Sequence, residues 1–234
     1  LPKRYWYVIL TYVIMQLSSI IAGPILFALF PDNYLEAAIY WMILSFTAAL
    51  IITLYLMKSD MQMPSTRGAS DVGQVIGWSI LGLFMAYFAQ GIATYIEIYI
   101  LGIEAGSQNT MDIMQIARAL PLFMIVPAII APILEEIIFR KIIFGSLHNH
   151  MNFFLAALLS SLVFGIVHGE LEHMLIYASM GFVFAYLYVK TKRILTPIIV
   201  HAAMNSITVI VQFSYTPEEL QKQLEQLQMI LIGG

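Results

Sequence analysis

Long apolar runs separated by short polar stretches dominate the chain from end to end. A helix that crosses ~30 Å of hydrocarbon needs about 20 apolar residues. By that measure seven spans are predicted, over residues 5–30, 36–57, 74–101, 119–148, 152–169, 172–190 and 195–213. The fourth is longer than a bilayer demands and must tilt, kink or protrude; Pro121, Pro127 and Pro132 supply kink points. No internal repeat, heptad run or low-complexity linker breaks the pattern. The expected fold class is all-α, a polytopic transmembrane helical bundle forming one domain over 1–234. Two connections are expected along the surface. One is the polar stretch Glu104 to Arg118. The other is Pro217 to Ile230, where Leu220, Leu224, Leu227 and Ile230 recur at helical spacing. Pro217 suits a first helical position and the two glutamates after it suit a first turn, so a short interfacial or subunit-packing helix is expected there.

Composition sharpens this picture. Sixty per cent of the 234 residues are hydrophobic and only 11% are charged, with mean hydropathy +0.84, where a soluble domain carries roughly 25% charged residues. So much apolar surface suits only a protein whose outside is lipid. The net charge of −3, with no basic tract, gives no sign of a nucleic-acid partner. The absence of cysteine excludes a thiol nucleophile, a disulfide framework and a Cys-ligated metal. The chain opens on Leu1 rather than Met, so a few residues are expected to precede it. The first run is too long for a signal-peptide core and lacks a small-residue cleavage site, which makes it a retained span.

Charge in the loops sets the expected orientation. With the N-terminus inside, the inner segments hold Lys3, Arg4, Lys58, Arg67, Lys141, Lys190, Lys192 and Arg193; the outer ones are acidic, with Arg118 and Lys222 as exceptions. This is the positive-inside arrangement. It predicts a multi-pass protein of the cell membrane, expected to be a bacterial cytoplasmic membrane, with a cytoplasmic N-terminus and an outer C-terminus.

Ionisable residues inside apolar spans cost on the order of 2.5–3.5 kcal/mol each on insertion scales and are functional candidates by default. The fourth span contains Glu135, Glu136 and Arg140. Glu136 and Arg140 are i and i+4 and can pair on one face. Glu135 lies about 100° around the helix and cannot easily share that pair. It is left available as a general base in a poorly hydrated cavity. In the fifth span Phe164 and His168 share a face at i and i+4, and so do His201 and Asn205 in the seventh. Glu135 and His168 lie about equally far from the turn near Met151, so an antiparallel hairpin is expected to bring them level. A carboxylate, two histidines and an amide can activate a water and hold a developing oxyanion. A lone intramembrane histidine would as readily bond across to another helix. Three polar pairs at helical spacing in three spans argue for a site. Glu97 in the third span is expected to hydrogen-bond within the bundle, and His148, His150 and His173 to lie at the interface.

These residues, E-E-x-x-x-R at Glu135, Glu136 and Arg140, F-x-x-x-H at Phe164 and His168, and H-x-x-x-N at His201 and Asn205, resemble the motifs of the CPBP family, the CAAX proteases and bacteriocin-processing enzymes, also called the Abi family. The resemblance implies an intramembrane endopeptidase with a catalytic core over about 119–213. Glu135 with His168 would activate water, His201 with Asn205 would form the oxyanion site, and Glu136, Arg140 and Phe164 would support them. It implies a membrane-associated peptide or protein substrate, such as a quorum-sensing or bacteriocin pro-peptide, and a metal-free glutamate mechanism.

Zinc is the alternative on ligand type, through Glu135, His168 and His201. His168 to His173 reads H-x-x-x-E-H, which is neither H-E-x-x-H nor H-x-x-E-H. No cofactor is therefore expected. The rival function is a non-catalytic scaffold, immunity factor or regulator of the same fold; an ion-coupled transporter would need paired broken helices in repeated halves. One expectation sits awkwardly. With straight spans, His201 falls near the start of the seventh helix and His168 near the far end of the fifth. A tilt, a protruding hairpin or a break near Pro197 must reconcile their depths.

Overall fold

The computed structural model describes residues 1–61, 68–215 and 219. Helices α1 (Lys3–Leu29) and α2 (Tyr34–Leu56) form a hairpin. They are followed by α3 (Val72–Ile100), the amphipathic α4 (Gln108–Ala119), α5 (Pro121–His148), α6 (Phe153–Val167), α7 (Met174–Thr191) and α8 (Leu195–Ser214). Among the described residues six segments, those holding α1, α2, α3, α5, α7 and α8, are long and apolar enough to cross a membrane. The protein is therefore a multi-pass membrane protein with an all-α fold. The exception among the predicted spans is the fifth. Helix α6 is apolar but only 15 residues long, about 22 Å at 1.5 Å per residue. The predicted amphipathic segment from Pro217 to Ile230 lies outside the described residues.

The helices begin and end where local chemistry directs. Asp71 and Gln74 form a reciprocal capping box at the start of α3, Ser107 accepts from the backbone N–H of Thr110 at the start of α4, and Asn152 accepts from that of Leu155 at the start of α6. Helix α5 is built differently. Pro121 opens a 3₁₀ turn, Pro127 lies in a π-helical turn over Val126–Ile130, and a longer π-helical stretch covers Glu136–Phe144. Prolines remove N–H donors from the ladder, and the i→i+5 pattern is one way of taking up the mismatch. The Phe139 carbonyl, inside this stretch, accepts a hydrogen bond from Ser160 Oγ of α6 at 2.7 Å.

Helix α5 is also the centre of the bundle. Sixty-one per cent of its apolar window is buried, against 17–33% in the other spans, so its polar side chains are shielded from lipid. One apolar cluster packs it against α1 and α2 through Val8, Tyr12, Ile39, Leu134 and Phe139. A second joins α3, α7 and α8 through Ala86, Phe184, Leu187, Val200 and Met204. Helices α6 and α7 approach closely because Gly181 faces Ser161 and Gly165 faces Met174; a Cβ at either glycine would overlap its neighbour. At one end of the bundle Arg4 Nε pairs with Asp60 at 2.7 Å, and Ser70 N–H bonds the Thr191 carbonyl at 3.0 Å. At the other, Arg118 Nη2 donates to the carbonyls of Gln212 and Tyr215, both at 2.8 Å. A groove of about 470 Å³ between α1 and α2 is lined by residues such as Ile14, Leu17, Ile21 and Trp41; its wall is apolar and holds none of the titratable groups described below.

Candidate active site

Between the two apolar clusters lies a polar one, built from α5, α6 and α8. Its centre is Glu136, fully buried, with Oε2 3.3 Å from Arg140 Nε across one helical turn. The expected i,i+4 pair is present. Its alignment falls short of a hydrogen bond, because Glu136 Oε2 and the three guanidinium nitrogens have no hydrogen-bond partner among the described residues. Arg140 is held instead by aromatic faces: Cζ lies 4.5 Å from the Phe164 ring centroid and 5.3 Å from that of Phe184. Two desolvated ring faces and one carboxylate thus compensate a buried guanidinium.

His201 completes the cluster. Its Nδ1 donates to Glu136 Oε1 at 2.9 Å, and its ring stacks on Phe184 with centroids 5.0 Å apart. Its Nε2 faces Glu135 Oε2 at 3.7 Å. Glu136 therefore has its two oxygens directed at two partners, Arg140 and His201. Glu135, with a side chain 12% exposed, is the more accessible carboxylate. The helical offset between the two glutamates separates them as the sequence suggests, but both face His201.

His168 and Asn205 stand further out. His168 caps the C-terminus of α6, and its Nδ1 donates to the Phe164 carbonyl at 2.7 Å, leaving Nε2 as the other ring nitrogen. Among the described residues no hydrogen bond or ion pair joins it to Glu135. The reason is register. The Ser160–Phe139 bond sets Glu135 roughly opposite Phe164, so His168 lies one turn beyond the level expected from a turn near Met151. Of the three ways to reconcile the depths, a break near Pro197 is not present, since α8 runs unbroken with Pro197 in its first turn. The depth gap between the histidines remains and Phe164 spans it, its ring centroid 4.4 Å from that of His168 and 6.0 Å from that of His201. Asn205, one turn along α8 from His201, donates through Nδ2 to the Pro127 carbonyl at 3.0 Å. That carbonyl sits within the π-helical turn of α5. An amide nitrogen carries two hydrogens, so one remains for another acceptor.

Sequence reasoning missed several contributors. Phe184 and Tyr177 lie in an apolar span where an aromatic residue reads as ordinary core; only their i and i+7 spacing on one helix face hints at a shared role. His173, expected at the interface, is buried, and its Nδ1 donates to Glu97 Oε2 at 2.9 Å. Glu97 Oε1 accepts the Ile176 N–H at 3.1 Å, so this carboxylate bonds within the bundle and caps the start of α7. It sits in the π-helical last turn of α3. No group of three or more His, Asp or Glu side chains placed to hold a metal ion is found among the described residues.

Known proteins resemble this sequence. Residues 117–207 match the family described as Type II CAAX prenyl endopeptidase Rce1-like. The chain is 47% identical over 99% of its length, and 98% of the other's, to "Putative membrane peptidase YdiL" of Bacillus subtilis. It is 32% identical to "Membrane-embedded CAAX protease MroQ" of Staphylococcus aureus, over 97% of each chain. A shorter likeness, 37% identity over 33% of this chain and 42% of the other, links it to "UPF0177 protein YxdF" of Lactococcus lactis. No solved structure matches it. Full-length likeness to two membrane peptidases, and a family match over the segment that carries Glu135, His168 and His201, make this chain a member of the CPBP family of CAAX-protease-type membrane peptidases.

Proposed function

We propose that the protein is a metal-independent intramembrane endopeptidase that hydrolyses a peptide bond in a membrane-associated peptide or protein, with Glu135 as the base. The observation that carries this reading is the division of labour between adjacent carboxylates. Glu136 is spent on Arg140 and His201, while Glu135 is more accessible and 3.7 Å from His201 Nε2. A water at Glu135 would lose a proton to that carboxylate as its oxygen attacks the scissile carbonyl carbon. The proton would then pass to the leaving amine as the C–N bond breaks. His168 would assist at the water through Nε2, an acceptor in the neutral ring because Nδ1 carries the hydrogen donated to Phe164.

His201 and Asn205 would hold the oxyanion. With Nδ1 donating to Glu136, His201 offers an N–H at Nε2 only when doubly protonated. Catalytic hydrogen bonds tighten in the complex with substrate, so the 3.7 Å between Glu135 and His201 Nε2 is compatible with these roles. Glu136 and His201 bond to each other, and Glu136 is paired with Arg140, which supports a mechanism that needs no metal. The acidic and basic loops support a cytoplasmic N-terminus, in a bacterial cytoplasmic membrane.

The deciding experiment incubates purified protein in lipid nanodiscs with quenched-fluorescence peptides, one set bearing a farnesylated C-terminal CAAX sequence and one unmodified. Cleavage by wild type that vanishes in Glu135→Gln and in His168→Ala is the expected result. Equal cleavage by these variants and wild type would remove the assignment.

A further inference from the structure

His168 sits where α6 has ended and α7 has not begun, a place where a side chain is usually loosely held. Here the break is fastened on both sides. On one side, Glu97 of α3 accepts from His173 Nδ1 and from the Ile176 N–H. On the other, Glu170, itself buried, takes three hydrogen bonds. Oε2 accepts from Tyr177 Oη at 2.6 Å and from Ser107 Oγ at 2.9 Å, and Oε1 accepts from the Asn109 N–H at 3.0 Å. The break, the start of α7 and the start of α4 are thus tied to one carboxylate. Between the break and α7, the residue following His168, Gly169, takes φ +77°, the left-handed conformation that lets the chain turn so soon after the imidazole.

Tyr177 has a second contact. Its ring lies 4.5 Å from the His168 ring, tilted by 33°, and 6.0 Å from the Phe164 ring. The imidazole therefore packs against two rings, Phe164 at 4.4 Å and Tyr177 at 4.5 Å, with Nδ1 tied to the Phe164 carbonyl. Neither histidine motif includes Tyr177 or Glu170. Yet the phenol is anchored at its hydroxyl and lies against the imidazole with its face, which restrains rotation of the imidazole in a way that Phe164 alone does not.

We infer that Tyr177, anchored by Glu170, is a positioning residue for His168, fixing the imidazole in one orientation and one tautomer against two aromatic rings. This rests on the reading above for its catalytic consequence, because an oriented His168 matters to turnover only if His168 acts on the water. The structural part stands apart from that reading and can be read directly.

The test uses full-length protein labelled with ¹⁵N-histidine in nanodiscs, with ring signals assigned by replacing each of the five histidines in turn. In wild type, His168 should give the shifts of a single Nδ1–H tautomer. Tyr177→Leu, which removes the ring, and Glu170→Gln, whose NH2 must face either the two hydroxyls or the Asn109 N–H, should move the His168 ring signals towards the average of the two tautomers, with those of His201 in place. Tyr177→Phe keeps the ring without its anchor and should give an intermediate shift. His168 signals unchanged in both Tyr177→Leu and Glu170→Gln overturn the inference, and so does a shift in Tyr177→Leu that Glu170→Gln does not share. If Tyr177→Leu disturbs every histidine through misfolding, Glu170→Gln and Tyr177→Phe decide alone. On a cleaved peptide, the same variants should lower kcat on the order of tenfold to a hundredfold with KM little changed. Full activity in His168→Ala with His168 signals that respond to Tyr177 would sink the catalytic reading and leave the positioning; the reverse pattern would sink the positioning alone.

Discussion

At the scale of single residues, the two adjacent glutamates make opposite predictions. Among the described residues Glu135 has no guanidinium ion pair, so Glu135→Gln should fold as wild type and lose cleavage on the order of 10²–10⁴-fold, the usual share of a general base. Peptide cleavage alongside a thermal melt separates the two effects. Glu136→Gln leaves Arg140 buried among aromatic rings without its carboxylate. Removing one side of a buried pair costs about 3–5 kcal/mol, so this variant should melt well below wild type before any question of rate arises. A Glu136→Gln protein as stable as wild type would mean that Arg140 draws its compensation from the rings alone. Metal dependence is tested at this scale too. Turnover should survive 1,10-phenanthroline and EDTA at concentrations that strip zinc from metalloproteases, and inactivation reversed by added zinc would replace the glutamate mechanism.

At the scale of helices, the i,i+4 pairs were readable because helical spacing alone dictates which side chains share a face; Glu136 with Arg140 and Phe164 with His168 follow from it. Register between helices was not readable. The level of His168 relative to Glu135 depends on where the α5–α6 turn centres and on a π-helical stretch in α5, and no pattern in the apolar runs announces either. Ser160 records that register, so Ser160→Ala should leave the buried Phe139 carbonyl without its donor. The expected cost is about 1–3 kcal/mol, read by denaturant unfolding in detergent; an unchanged midpoint would show that the carbonyl finds another donor. The attachment of α4 through Glu170 adds a pH dependence. Burial pushes this carboxyl up, but the bonds from Tyr177, the Asn109 N–H and Ser107 outweigh it and hold it below its ordinary 4.5. A carboxyl depressed in the folded state stabilises it above the unfolded value and loses that contribution as pH falls through the folded one. The difference in melting temperature between wild type and Glu170→Gln should thus be full above about pH 5 and shrink on further acidification. A difference that persists unchanged in acid would assign the effect to packing.

At the scale of the whole molecule, composition settled the solvent, and the count of spans followed to within one short helix. The span predicted over 152–169 shortens to the 15 residues of α6, because Gly169 and the Glu170 bonds halt the helix just after His168. Even so, α6 must count as a crossing if the basic loops are to stay on one side. That makes topology a sharp test of how a helix about 8 Å shorter than the hydrocarbon core serves in this bundle. The protein has no cysteine, so single cysteines introduced at exposed loop positions report without background. With the N-terminus inside, cysteines replacing Asp32 and Gly106, before α2 and before α4, should react with a membrane-impermeant maleimide in intact cells. Cysteines replacing His150 and Lys192, in the α5–α6 and α7–α8 turns, should react only after permeabilisation. If His150 and Lys192 label on opposite sides, one of α6 and α7 does not cross, and if it is α6 the break bearing His168 opens to the inner face of the membrane rather than the outer. If both label in intact cells while Asp32 does not, the whole bundle is inverted. The cluster of Glu135, Glu136, Arg140 and His201 would keep its geometry in either case, since α5 and α8 hold it without reference to the side on which the chain begins.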